Sequence, residues 1–225
     1  MKRALKQTLE QWRLPPQAKA VLRRDHAGPP GEDPGPARVI ELAAQWLCDA
    51  QDLSPTQDGG CARSFSLRDG WVSSYPETTG YIVPTFLRLA EVLERPDLRE
   101  RARRMLDWFV DIQLRGGGFQ GGKIDSQPVV PVTFNTGQIL LGLAAGVQEF
   151  DAYHDALHGA ARFLRDSLDT DGCWRSHPTP FAKAGEKAYE THVAWGLFEA
   201  DRVARGEGYG EAGLRQVHWA LTKQE

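Results

Sequence analysis

No basic stripe runs through this chain. Its 27 lysines and arginines are outnumbered by 30 aspartates and glutamates, for a net charge of −3 over 225 residues. A nucleic-acid partner needs a positive face, so none is expected. Long apolar runs are missing too. The longest, Ile139 to Val147, falls far short of the roughly 20 residues of a membrane helix, so no membrane partner is expected either. Lys2, Arg3 and Lys6 stand near the N-terminus without an apolar block after them, which argues against a secretory signal. Cysteine is scarce. Cys48, Cys61 and Cys173 make no disulfide framework, and a reducing, cytoplasmic setting is the expectation. No cofactor is expected.

What is present is an ordinary globular composition, 41% hydrophobic and 25% charged, carrying an internal repeat. Trp46 to Gln51, Trp108 to Gln113 and Phe163 to Leu168 each close an apolar helical pattern. Each then runs into a glycine turn, at Asp58-Gly59-Gly60-Cys61, Gly116-Gly117-Gly118-Phe119 and Asp171-Gly172-Cys173-Trp174. A fourth copy begins at Trp219 and reaches Gln224. The anchors Trp46, Trp108, Phe163 and Trp219 are 62, 55 and 56 residues apart. A second landmark, Glu77-Thr78-Thr79-Gly80, Phe134-Asn135-Thr136-Gly137 and Tyr189-Glu190-Thr191-His192, recurs with nearly the same period. Such a period means stacked helical hairpins, because one hairpin cannot bury its apolar face alone. Cys61 and Cys173 occupy matching places in this repeat, which explains them better than metal binding.

Residues 4 to 22 read as a polar helix broken or kinked at Pro15-Pro16. Residues 27 to 36, rich in proline and glycine, read as a linker, so residues 1–35 form an N-terminal appendage and 36–225 the repeat domain. Helices are predicted at about 36–52, 78–94, 97–114, 133–150, 153–169, 188–205 and 210–224. Short links alternate with long ones at 53–77, 115–132 and 170–187, so all long loops fall at one end of the array. The 133–150 helix is apolar nearly all round, which predicts burial on several sides. The 97–114 helix sets Arg99, Arg101, Arg103 and Arg104 against Leu98, Ala102, Met105 and Leu106, which predicts one wet face. Helices beginning at 78, 133 and 188 are therefore expected as an inner layer, and the others as an outer one. The inner N-termini offer unpaired N–H groups and partial positive charge to whatever the long loops hold.

The aromatic-x-x-x-x-Gln, glycine-turn, aromatic pattern resembles the repeat of the α/α toroids. That superfamily covers terpenoid cyclases, protein prenyltransferases and, more distantly, six-hairpin glycosidases and uronate epimerases or lyases. The resemblance spans roughly residues 36–225. It implies an all-α fold of repeated hairpins and a ligand near the mouth formed by the inner-helix N-termini. The Asp-x-Asp-Asp and Asp-Asp-x-x-Asp motifs of the isoprenoid enzymes are absent, as is a prenyltransferase-like zinc pattern. About three and a half hairpins are visible where a closed ring takes five or six. The expectation is an incomplete ring, an open arc truncated at its C-terminus, whose exposed edges favour a homodimer.

The loop from Arg63 to Thr79 is the richest candidate site. Arg63, Arg68, Trp71 and Tyr75 suit a sugar ring with an acidic group. Equally, Trp71 and Tyr75 could pin the loop while Glu77 or Thr78 caps a helix. Asn135 and Glu190 begin the other inner helices and either cap them or face the same cavity as Glu77. Tyr75, Glu77, Glu190 and His192 are the candidate acid–base groups. Arg63, Arg68, Trp71, Asn135, His177 and Lys183 are the candidate substrate-binding residues. Gln120, Lys123 and Lys187 also lie in the long loops. His154 and His158 resemble a zinc motif with Asp155 in place of glutamate, but no third ligand is evident and no metal is expected. The reading is a protein that hydrolyses, epimerises or eliminates an acidic, uronate-containing saccharide. An isoprenoid enzyme and a non-catalytic binding scaffold are the alternatives.

Overall fold

A computed structural model describes residues 11–29 and 31–224. Among them the fold is all-α apart from one two-residue β-hairpin. The helices are α1 (Pro16–His26), α2 (Gly35–Asp52), α3 (Pro76–Val92), α4 (Pro96–Ile112), α5 (Thr133–Phe150), α6 (His154–Asp166), α7 (Thr191–Val203) and α8 (Tyr209–Leu221). The hairpin pairs β1 (Phe65–Ser66) with β2 (Gly70–Trp71) inside the first long loop. No helix among the described residues is long and apolar enough to cross a membrane.

Proline shifts several expected starts. Pro16, Pro36, Pro76 and Pro96 each occupy the first turn of a helix, where the missing N–H has no partner to lose. Gln11 and Trp12 are helical, residues 13–15 interrupt the helix at the expected break before Pro16, and the helix then runs from Pro16 to His26, beyond the expected end at 22. The part of that expectation lying before residue 11 falls outside the described residues. The third inner helix starts as a 3₁₀ turn, Ala188–Glu190, and becomes regular only at Thr191.

α3, α5 and α7 form a row, and α4, α6 and α8 lie against it. The row is parallel, because Gly80 near the start of α3 meets Gln138 near the start of α5, and Gly137 meets Val193 near the start of α7. Small residues set the spacing. A Cβ at Gly80 would sit 2.5 Å from the Gln138 carbonyl oxygen, and one at Gly196 would sit 2.5 Å from that of Gly137. α5 is the middle of the row, and Asn135 through Ala144 are all buried, as its all-round apolar character requires.

The repeat landmarks are joints. Gln51 Nε2 donates to the carbonyls of Gly59 (2.8 Å) and Arg101 (3.2 Å), tying its own glycine turn to the next outer helix. Gln113 Nε2 does the same with Gly117 and Ala156, both at 2.9 Å. The turn backbone then lies against the outer helix. Cβ atoms at Gly59, Gly117 and Gly172 would meet the carbonyls of Arg104, Gly159 and Arg215, each four residues before an aromatic anchor. The threonines complete the joint. Thr79 Oγ1 accepts from the Cys61 amide (3.0 Å) and donates to the Tyr75 carbonyl (2.9 Å); Thr136 repeats this with Phe119 and Val132. In the third hairpin Leu168 replaces the glutamine, and Trp174 Nε1 donates to the Leu164 carbonyl at 2.9 Å.

Candidate functional site

The first long loop is held rigid before it enters α3. Ser54, Thr56 and Ser74 share hydroxyl contacts, and Ser74 Oγ donates to Asp58 at 2.7 Å. Ser73 donates to Asp125, which links this loop to the second one. Trp71 stacks with Trp46 and Phe65 at centroid distances of 4.7 and 5.2 Å. These contacts deliver Tyr75 to the start of α3, one residue before its first turn.

A polar cluster gathers there. The Tyr75 hydroxyl donates to Glu77 Oε2 at 2.6 Å, and the Arg63 guanidinium lies 5.2 Å from the Tyr75 ring centre. Burial pushes the Glu77 carboxyl above its ordinary range, against the opposing pull of the Tyr75 hydrogen bond and the Arg63 charge. Burial, with the adjacent Glu77, also raises the Tyr75 phenol. Asn135 joins the cluster from α5. It is 3% exposed, and its side chain sits near enough to favour the Tyr75 phenolate, yet its Nδ2 completes no hydrogen bond. A buried amide donor left unpaired costs about 1–3 kcal/mol, and the Tyr75 hydroxyl oxygen is an acceptor near it.

Tyr75, Glu77, Arg63 and Asn135 are thus brought together. Glu190 is placed differently. It is buried and lies close enough to Cys173 for its charge to act there. Burial raises its carboxyl to about 7. Where the first two inner helices bury Thr79 and Thr136, the third buries Glu190. His192 is exposed, with its ring 6.0 Å from Trp195. Arg68 is at the solvent-facing tip of the hairpin, 4.0 Å from Asp69. His177 packs on Phe163 at 4.8 Å, while its carbonyl accepts from the Thr133 amide, so its backbone holds the start of α5. Lys183 is exposed in the third loop. Trp71 serves the aromatic cluster under the loop.

Other polar residues of the loops have internal duties. Gln120 is buried and donates to the carbonyls of Lys123 and Ile124. Lys123 pairs with Asp125 at 3.3 Å. His158 Nδ1 is 2.8 Å from the Tyr209 hydroxyl, and His154 pairs with Asp151. Among the described residues no group of three metal-ligating side chains forms.

A groove of about 770 Å³ runs across the inner row. Tyr81 and Arg88 of α3, Leu141 and Ala145 of α5, and Trp195 and Arg202 of α7 line it. Tyr81 connects groove to cluster. It stands one helical turn after Glu77, and burial together with the Glu77 charge raises its phenol to about 12. Gln138, one turn after Asn135, is fully buried with both amide atoms unpaired. Sequence reasoning missed Tyr81 and Gln138. The signal was there in their i+4 and i+3 spacing from Glu77 and Asn135. No protein-family model matches this chain, and neither does any curated protein sequence.

Proposed function

We propose that the hairpin array is an arc of the α/α-toroid kind, and that its mouth binds and acts on an acidic, uronate-containing saccharide. The observation that carries this is the Tyr75–Glu77 hydrogen-bonded pair with the unspent Asn135 amide and the Arg63 charge beside it. Arg63 and Asn135 Nδ2 supply what a sugar carboxylate needs, a cation and a neutral donor. Tyr75 and Glu77 supply a proton donor and acceptor of the type that moves a proton at the carbon next to that carboxylate. This favours elimination or epimerisation. Hydrolysis by two carboxyl groups has less support, because Glu190 is not part of the hydrogen-bonded Tyr75–Glu77 pair. Neutralising the substrate carboxylate makes its neighbouring C–H more acidic, which Arg63 and Asn135 would do together.

The groove favours a second reading. Leu141, Ala145, Tyr81 and Trp195 give the groove an apolar and aromatic part of its lining, beside charged residues such as Arg88 and Arg202, that suits an isoprenoid chain. One experiment separates the two. Thermal shift is measured with uronic acid oligosaccharides, neutral oligosaccharides and prenyl diphosphates, on the wild type, Asn135→Ala and Glu77→Gln. The saccharide reading expects stabilisation by the uronic acids alone, reduced by Asn135→Ala. Stabilisation by prenyl diphosphates instead establishes the second reading. Stabilisation by none of them leaves a non-catalytic scaffold.

A further inference from the structure

The first outer helix has two unlike faces. Ala44, Cys48 and Gln51 of α2 are buried against the hairpins that follow. On the opposite side Val39, Leu42 and Trp46 are 51%, 50% and 51% exposed. Their i, i+3, i+7 spacing makes one apolar stripe, the spacing of a helix–helix seam. Phe65, also exposed, stands 5.9 Å from Trp46 and widens it. The later outer helices use the backbone at the same positions, two of them at the one seven residues before the anchor and all three at the one four before it. The carbonyls seven residues before the anchor, at Arg101 and Ala156, accept from glutamine. Those four before it, at Arg104, Gly159 and Arg215, take the glycine turn. Val39 and Leu42 hold these two positions in α2, where they stay half exposed.

We propose that α2 is a dimerisation helix, and that it pairs antiparallel with α2 of a second copy about a twofold axis between Leu42 and Trp46. The charges on the flank of the stripe single out a second copy. Arg38 and Asp49 are eleven residues apart, three helical turns, so both lie on the same flank. When Leu42 packs on Trp46 of the partner subunit, Arg38 of each chain comes beside Asp49 of the partner subunit, and both pairs form at once. A twofold interface must be self-complementary in this way. Arg38 meanwhile pairs with the exposed Glu41 on its own helix, and Asp49 accepts from Gln45, so among the described residues both remain at the surface. A seam this size is at the small end of stable interfaces, which sets the expected dissociation constant in the micromolar range.

The test is sedimentation equilibrium of the full chain at micromolar concentrations. The wild type is expected to be a dimer, and Leu42→Glu a monomer with an unchanged circular dichroism spectrum. Arg38→Asp is expected to weaken association about tenfold, because two attractive pairs become repulsive. Arg38→Asp combined with Asp49→Arg is expected to restore it. A monomeric wild type overturns the proposal, as does a dimer that survives Leu42→Glu. Failure of the double exchange to rescue overturns the antiparallel register and the proposal with it.

Discussion

Gly117 and Gly116 are neighbours in the same turn and both have positive φ, +93° and +101°. They differ in what surrounds them. A Cβ at Gly116 meets nothing within 4 Å, whereas one at Gly117 would overlap the backbone of Gly159 in α6. Gly116→Ala therefore carries only the cost of a left-handed backbone, about 1–2 kcal/mol. Gly117→Ala carries that cost plus the displacement of the turn from α6, a further ~2 kcal/mol on the scale of overpacked cores. The displacement also strains the Gln113 bonds to Gly117 and Ala156. Total losses of about 1.5 and 3.5 kcal/mol are expected, a large difference against a folding stability of ~5–15 kcal/mol. Urea unfolding at constant m-value measures both. Equal losses in the two variants would refute the claim that the glycine is there to let turn and helix backbones touch.

Gln113→Ala leaves two carbonyls of the same joint without their donor and should cost about 1–3 kcal/mol in urea unfolding, with little change in secondary structure. Thr136→Val keeps the shape but deprives the Phe119 amide of its acceptor, and a loss of about 1–3 kcal/mol is expected. Glu190 makes stability depend on pH. Its carboxyl, raised from 4.5 to about 7 by burial, favours the protonated folded state. That stability is full below about pH 4.5 and is lost as pH rises through about 7, a fall on the order of 3 kcal/mol. Glu190→Gln should remove this slope in unfolding curves taken between pH 4.5 and 8; an unchanged slope would place the titrating group elsewhere.

Helix order, the alternation of short and long links, and the inner-versus-outer character of the helices were all legible in the residues. Each rests on a local cause. Apolar periodicity sets which side of a helix is dry, and glycine and proline mark where helices stop. The threonine and glutamine landmarks were visible as a period, but their meaning was not. Nothing in the sequence around Gln51 and Gln113 says what their side chains reach. Their amides close the joints between hairpins, because the carbonyls they reach belong to a helix some 50 residues away. The small hairpin at Phe65 to Trp71 was also beyond reach, since two residues per strand leave no alternation to detect.

The site divides along the same line. Tyr75 and Glu77 are two residues apart, so their pairing is a property of the chain at the start of α3. Whether Asn135 or Glu190 would join them depended on how neighbouring helices enter the row. Asn135 comes in beside Tyr75, and Glu190, at the end of a 3₁₀ turn, takes a buried place near Cys173 instead. Residue order alone established a repeated all-α chain, because burial periodicity is written within single helices. Only packing decided which polar side chains share a space. A shift of one residue turns a helical side chain by about 100°, enough to move a carboxylate from mouth to core, and no local pattern records it.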